Sequence, residues 1–240
     1  MKNNSDRFIR INKFIATGST YARRKADELI LEGRVTINGV SIHEPGYQID
    51  PDKDKVHLDG ELIRVNVKKV YIILFKPEKI ITSVSDEKRR TTVIDIIKSN
   101  ERIFPVGRLD YDTSGLLLLT NDGEFANKLM HPKFKVDKKY IVKLSKPLEE
   151  KHRIKIESGI VLEGKRTSKS KIEFPVRGDY STVKITLHEG RNHQVKNMFE
   201  HYGYFVRKLH RSDYGKLNLK GLKPGEWRYL TAKETESLIK

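Results

Sequence analysis

Cysteine is absent from the 240-residue sequence, tryptophan occurs once and methionine three times. Without thiols there is no disulfide and no thiolate metal site, so packing and hydrogen bonding must hold the fold. Long apolar runs are missing too: none approaches the roughly 20 residues that cross a bilayer. The opening stretch Met1-Lys2-Asn3-Asn4-Ser5-Asp6-Arg7 has no apolar core of a secretory signal. These absences point to a cytoplasmic protein with no membrane partner. Negative charge is also short, with 32 Asp and Glu against 48 Lys and Arg, for a formal net charge of +16. An excess of that size fits a polyanion, because each phosphate neutralised releases counterions and adds affinity. What is present suffices for folded domains: 37% of the residues are hydrophobic, and the length accommodates two cores.

Residues 1–64 read as a small α+β module. Phe8, Ile11 and Ile15 recur at helical spacing before Gly18 breaks the pattern. A second helix is predicted from about Tyr21, with Ala22, Ala26, Leu29 and Ile30 on its apolar side and Gly33 as its stop. The period then changes to two. Val35 and Ile37, the turn Asn38-Gly39, then Val40 and Ile42 form a hairpin, since Asn-Gly suits a type I′ turn. A second hairpin runs through Val56-His57-Leu58, Asp59-Gly60 and Glu61-Leu62-Ile63. Residues 7–34 hold seven basic side chains (Arg7, Arg10, Lys13, Arg23, Arg24, Lys25, Arg34) against three acidic ones. Arg23-Arg24-Lys25 opens the second helix, where the helix dipole favours anions, so a bound phosphate would compensate. The alternative is a solvated charged face.

This module resembles the S4 RNA-binding domain. The matching stretches are Ile11-Asn12-Lys13-Phe14-Ile15-Ala16, Arg23-Arg24-Lys25-Ala26-Asp27-Glu28-Leu29-Ile30 and Gly33-Arg34-Val35-Thr36-Ile37-Asn38-Gly39. The resemblance implies RNA contacts from Arg7, Lys13, Arg23, Arg24, Lys25 and Arg34. Two positions depart from it: Ser19 stands where the family usually has Gly, and Ala22 where it usually has the capping Ser. A lost cap costs about 1 kcal/mol, unless Ser19 or Thr20 caps one turn earlier.

Residues 65–69 read as a linker, and residues 70–240 as a larger α+β body with 35 basic and 22 acidic side chains. Tyr71 to Phe75, Val106 to Asp110, Leu116 to Thr120, Tyr140 to Leu144 and Val183 to Leu187 are strand-like. Asn121-Asp122-Gly123 turns into a helix through about Met130, and another helix runs from about Asn192 to Tyr202. The densest local signal runs from Phe104 to Gly123: a strand, a polar loop bounded by Gly107 and Gly115 that holds Arg108, Asp110, Asp112 and Ser114, and a second strand. Three readings fit its chemistry. Asp110, Asp112 and Ser114 alternate like early calcium ligands, but the twelfth position of that pattern needs Glu and here is Asn121. The two aspartates could simply form a turn between buried strands. Or Asp110 is a catalytic carboxylate, with Arg108 two residues before it. His188, His193, His201 and His210 lie close together without the carboxylate-and-histidine spacing of a zinc site.

This body resembles the RsuA-type pseudouridine synthases, in which the Asp of Gly-Arg-Leu-Asp is catalytic. Further matches follow in order: Lys76-Pro77 with Thr82-Ser83-Val84, Asp137-Lys138-Lys139-Tyr140, Glu189-Gly190-Arg191-Asn192-His193-Gln194-Val195-Lys196, Leu209-His210-Arg211, Tyr214-Gly215 and Gly225-Glu226-Trp227-Arg228-Tyr229-Leu230. Lys79 departs, standing where the first motif usually has Gly; if that residue needs positive φ, Lys79 is strained there. The resemblance implies an α+β fold, an S4-type module followed by a catalytic domain with a mixed, mostly antiparallel sheet and flanking helices. It implies isomerisation of uridine to pseudouridine in ribosomal RNA, by a monomer, without cofactor or metal. The run from Tyr111 to Gly123 is most similar to the RluB branch, which acts on large-subunit (23S) RNA. A small-subunit (16S) target and a non-catalytic assembly factor are the alternatives.

By that resemblance Asp110 acts at the ribose or base, Lys196 is its basic partner, and Tyr140 packs on the target uracil, which must be flipped out of folded RNA. Arg108 would fill the vacated stack or hold a phosphate. Lys76, Arg191, His193, Gln194 and Arg211 complete the implied RNA contacts.

Overall fold

The computed structural model describes residues 7–65, 68–99 and 101–239. Two compact units meet between Lys68 and Lys69. Asn66 and Val67 of the expected linker, and residues 1–6, lie outside the described residues. No helix among the described residues is long and apolar enough to cross a membrane.

In the first unit, helices α1 (Ile11–Gly18) and α2 (Arg23–Leu31) precede strands β1 (Val35–Ile37), β2 (Val40–Ile42), β3 (Val56–Leu58) and β4 (Glu61–Leu62). Ile11, Phe14 and Ile15 of α1 meet Ala26, Leu29 and Ile30 of α2 over Val35, Ile37 and Val56. The hairpin turns form where Asn-Gly and Asp-Gly predict them, with φ of 52° and 87° at Asn38 and Gly39 and 52° and 85° at Asp59 and Gly60. Helix α2 begins two residues later than the periodicity suggests. Ala22 is exposed and extended at its start, and has no side chain with which to cap it. Ser19 does not cap α2 either: its hydroxyl donates to the Ile15 carbonyl at 2.7 Å and closes the end of α1.

The second unit is built on a nine-stranded sheet. Its elements are β5 (Tyr71–Lys76), β6 (Thr113–Thr120), α3 (Gly123–Met130), β7 (Lys138–Leu144), α4 (Glu150–Ser158), β8 (Lys171–Glu173), β9 (Thr182–Leu187), α5 (Gln194–Glu200), β10 (Val206–Tyr214), β11 (Trp227–Tyr229) and α6 (Ala232–Ile239). The strands lie in the order β8-β9-β7-β10-β6-β5-β11, with Phe104–Pro105 added beside β6 and Leu217–Asn218 beside β10. Neighbouring strands are antiparallel except β10 and β6, which pair in parallel at Leu209–Thr113, His210–Ser114 and Arg211–Gly115. Both faces of the centre are covered, which explains why β5 and β6 read as continuous apolar runs. Ile73, Leu116 and Leu118 face α3 and α6, whereas Ile72, Leu74, Leu117 and Leu119 pack on the helical turn Val93–Ile96 and on Ile97. A third cluster joins β7, β9 and β10 to α4 and α5 through Val142, Ile185, Ile156, Val195 and Phe199.

Candidate active site

The loop carrying Asp110 is fixed through its backbone. The Val106 amide makes a sheet bond to the Leu118 carbonyl at 2.8 Å, and Gly107 then turns the chain away with φ of +74°. A Cβ there would meet nothing within 4 Å, so the position needs glycine's conformational freedom and not its size. That turn corrects the strand expected from Val106 to Asp110: Asp110 stands in the loop that enters β6. Thr82 grips the loop at Leu109, its hydroxyl donating to the carbonyl at 2.7 Å and facing the amide at 3.3 Å.

Lys76, at the end of β5, grips it next. Its ammonium donates to the carbonyls of Pro77, Asp110 and Thr113 at 3.0, 3.1 and 2.8 Å. The expected RNA contact at Lys76 is therefore replaced by an internal clamp, for the side chain is fully buried. Burial pushes its pKa down to about 8, even though Asp110, Asp112 and Glu78 favour the cation. Lys79 adds its amide to the Tyr111 carbonyl at 2.6 Å, and does so at φ of +64°. The strain foreseen for a lysine at this glycine position is present, at a cost of roughly 1 kcal/mol.

The side chains of the loop meet α5. Lys196 places its Nζ 3.2 Å from Asp110 Oδ2 and 2.6 Å from Asp112 Oδ1. His193 Nε2 lies 3.5 Å from Asp110 Oδ1. Burial works against the Lys196 charge, but hydrogen bonds to Asp112 and Asp110 outweigh it and hold its pKa above the usual lysine value. The same hydrogen bond from Lys196 holds Asp112 below the ordinary carboxylate range, against a smaller effect of burial. The alternation that resembled a calcium loop is thus resolved into other bonds: both carboxylates face an ammonium, and Ser114 Oγ pairs with His210 Nδ1 at 3.0 Å. Among the described residues no group of three or more His, Asp or Glu could hold a metal ion.

The segment before α5 is a braced turn. Gln194 is buried; its amide donates to Glu189 Oε1 at 2.5 Å and its carbonyl accepts from the Arg191 amide at 2.9 Å. Arg191 sends its guanidinium to the carbonyls of Lys165 and Arg166, in the hairpin of Val161–Leu162 with Lys165–Arg166. Both residues therefore shape this turn, and burial keeps Gln194 from the RNA contact expected of it. His193 follows in the left-handed conformation, φ 48°, and remains exposed. Among the expected contacts in this turn it is the most exposed, at 51% of its side chain against 32% for Arg191.

Tyr140 on β7 stands opposite Ile185 of β9 and Arg211 of β10, just past a register shift after Lys139. Such a bulge re-aims a side chain. Tyr140 lines one cleft with Asp110, Leu187, Val195, Leu209 and the exposed Arg108. Apolar walls at Leu187, Val195 and Leu209, with polar groups that include the carboxylates of Asp110 and Glu189, suit a flat base attached to a sugar. Arg211 is buried instead of facing RNA: its Nε donates to the Leu116 carbonyl at 2.7 Å, tying β10 to β6. The strands approach so closely that a Cβ on Gly115 would lie 2.3 Å from the Arg211 carbonyl oxygen.

In the first unit, Arg7 pairs with Asp50 at 2.6 Å, Lys25 with Glu28 at 2.7 Å, and Arg34 with Asp59 at 2.6 Å and Glu32 at 3.3 Å. Arg23 and Arg24 are exposed at the start of α2, whose first turn has no acidic residue, and Lys13 is half-buried on α1. Sequence reasoning assigns Asp112 no partner, leaving it a calcium-like ligand or a turn former, whereas the structure pairs it with Lys196. Its signal was present in retrospect: a second carboxylate beside Asp110, in a basic protein.

The family model described as RNA pseudouridylate synthase matches residues 70–201, and the S4 domain model matches residues 9–56. The ribosomal large subunit pseudouridine synthase B of Bacillus subtilis (strain 168) is 44% identical over 233 residues, which cover 95% of each chain. The dual-specificity RNA pseudouridine synthase RluF of Escherichia coli (strain K12) is 36% identical over 239 residues, 98% of this chain and 80% of that one. A solved pseudouridylate synthase superposes with a TM-score of 0.70 at 35% identity, over 96% of this chain and 99% of that chain.

Proposed function

The chain belongs to the RNA pseudouridylate synthase family, and from that premise we propose that it isomerises a uridine of 23S ribosomal RNA, with Asp110 as catalytic group. The observation that carries the reading is the Asp110–Lys196 pair, with 3.2 Å between Oδ2 and Nζ, in the cleft that Tyr140 lines. The target nucleoside is extruded from its stack and enters beside Tyr140. The N1–C1′ bond breaks, the uracil rotates, and C5 bonds to C1′. The C5 proton leaves and N1 gains one, so atoms balance with no oxidant, reductant or cofactor. Oδ2 is committed to Lys196, while Oδ1 has His193 at 3.5 Å; Oδ1 is the oxygen that acts on the nucleotide. Lys196 orients the carboxylate, and the Tyr140 hydroxyl assists transfer of the C5 proton. Arg108, at the rim, takes the vacated stack or a flanking phosphate. The reaction takes place in the cytoplasm, and the enzyme acts as a monomer.

The large-subunit target follows the Bacillus subtilis relative's name and its 44% identity. A second reading comes from the 36% identical relative named dual-specificity: more than one RNA would then serve. Tritium release from rRNA labelled at uracil C5 tests both, with large-subunit RNA, small-subunit RNA and assembly intermediates assayed in parallel. Wild-type protein should release tritium. Asp110→Asn should lower release by at least about a thousandfold, as removal of a group acting in the transition state does, with RNA affinity nearly unchanged. Equal rates would sink the assignment. Arg23 and Arg24 supply phosphate contacts in this reading. The double Arg23→Ala, Arg24→Ala variant should weaken RNA binding and flatten its log–log salt dependence by roughly one to two; an unchanged slope would remove the first unit as a phosphate reader.

A further inference from the structure

Asp112 is an anomaly in a protein of net charge +16 that meets RNA. It stands beside the catalytic loop's key carboxylate with 68% of its side chain exposed, where a negative charge repels phosphate. An exposed ion pair contributes little to folding, so stability offers no reason for the residue. Its geometry does. The Lys196 ammonium lies 2.6 Å from Asp112 and 3.2 Å from Asp110, so the tighter of its two contacts goes to the residue outside the reaction. Lys196 rises from the first turn of α5 on a flexible four-carbon arm with several rotamers to lose. One longer contact to Asp110 leaves much of that freedom; a second, shorter one removes it. Lys196 is only 17% exposed, held between two carboxylates, one of them on Asp110, whose backbone carbonyl the Lys76 clamp holds.

We propose that Asp112 is a positioning residue, which anchors the Lys196 ammonium beside Asp110 and does so against RNA affinity. The proposal rests on the reading of Asp110 as the catalytic group. It predicts a split that a merely structural residue would not produce. Asp112→Asn keeps the shape and removes the charge. Its single-turnover rate at saturating RNA should fall roughly tenfold to a hundredfold, the range expected when a supporting group loses its placement. Its affinity for the same RNA should stay level or tighten. Asp112→Glu restores the charge and should recover part of the rate.

A second readout needs no reaction. In protein labelled with carbon-13 at the lysine side chains, the Lys196 signal should titrate above the ordinary lysine range in wild type, as its two carboxylate partners dictate. It should move down in Asp112→Asn. The groups bearing on that signal are Asp110, Asp112 and, across Asp110, His193. A rate equal to wild type, a rate loss explained entirely by weaker RNA binding, or an unmoved Lys196 titration would each overturn the anchoring role. Wild-type protein that modifies no RNA would instead overturn the assignment of Asp110, and the Lys196 titration would still decide whether Asp112 anchors it.

Discussion

Lys76 and Lys196 approach the same four-residue stretch, Asp110 to Thr113, and show how differently one side chain can be used. Lys76 holds the loop by its backbone, through the carbonyls of Asp110 and Thr113. Lys196 holds it by its side chains, through the carboxylates of Asp110 and Asp112. Carbonyls are neutral acceptors and cannot repay the full loss of hydration, so burial dominates and the Lys76 pKa drops to about 8. Carboxylates carry compensating charge, so the Lys196 pKa rises although burial opposes it. The first lysine sets where the loop lies; the second sets where the reacting carboxylate points.

Exchanging the two losses separates these roles. Lys196→Met should leave the loop path intact and cost activity, by roughly a hundredfold in kcat, with the melting temperature within about 2 °C of wild type. The small thermal effect follows because Asp112, the partner in its shorter contact, is largely exposed, and a pair with an exposed partner contributes little to stability. Lys76→Met should reverse the balance. It leaves three carbonyls, one buried and two partly buried, without their donor, which costs about 2–4 kcal/mol, or several degrees in melting temperature at this chain length. Its activity should fall less steeply, roughly tenfold, through a looser loop. Calorimetry with single-turnover kinetics on both variants checks the pair. A thermally silent Lys76→Met would break the comparison, since it would mean that Thr82 and Lys79 alone fix the loop.

The same contrast explains what could be read from the chain. The hairpins of the first unit were legible because Asn38-Gly39 and Asp59-Gly60 are local signals, needing only positive φ at adjacent residues. Asp110, Tyr140 and Lys196 were legible as a constellation, through motif resemblance, and the structure brings Asp110 and Lys196 within bonding distance. Direction was not legible. Lys76, Gln194 and Arg211 are charged or polar residues in a basic protein, and each was assigned to RNA, yet each is buried. Lys76 finds its partners 34 and 37 residues away, and Arg211 finds Leu116 95 residues away, so no local pattern could announce them. Strand β10 was hidden for a related reason. Its sequence, Val206-Arg207-Lys208-Leu209-His210-Arg211-Ser212-Asp213-Tyr214, shows little apolar alternation, although it runs through the middle of the sheet. Register shifts against β7 at both ends of Tyr140–Lys143 break the period that a strand prediction counts. The partner of Asp112 is not legible locally, because Lys196 is 84 positions further on.

The smallest effect expected is also the one that distinguishes the two lysines within a single protein. A lysine whose folded pKa lies below its unfolded value binds fewer protons when folded. For Lys76 the folded value is about 8 against an ordinary 10.5, so the unfolded chain holds the extra proton between those limits. Stability from this group therefore rises with pH across that window, by at most about 1.4 kcal/mol per unit. For Lys196 the folded pKa is raised, so its contribution is present below the ordinary value and disappears only as pH climbs through the raised one. Between about pH 8 and 10 the first term changes and the second does not. Denaturant unfolding of wild type and Lys76→Met at pH 7.5, 8.5 and 9.5 should show the gap between them widening with pH. Activity should move the other way, because a neutral amine has two N–H donors for the three carbonyls that the ammonium served. A fall of roughly twofold to threefold in wild-type kcat above pH 8, absent from Lys76→Met, would tie that limb to the backbone clamp. The same fall in both proteins would assign it elsewhere and leave Lys76 a purely static support.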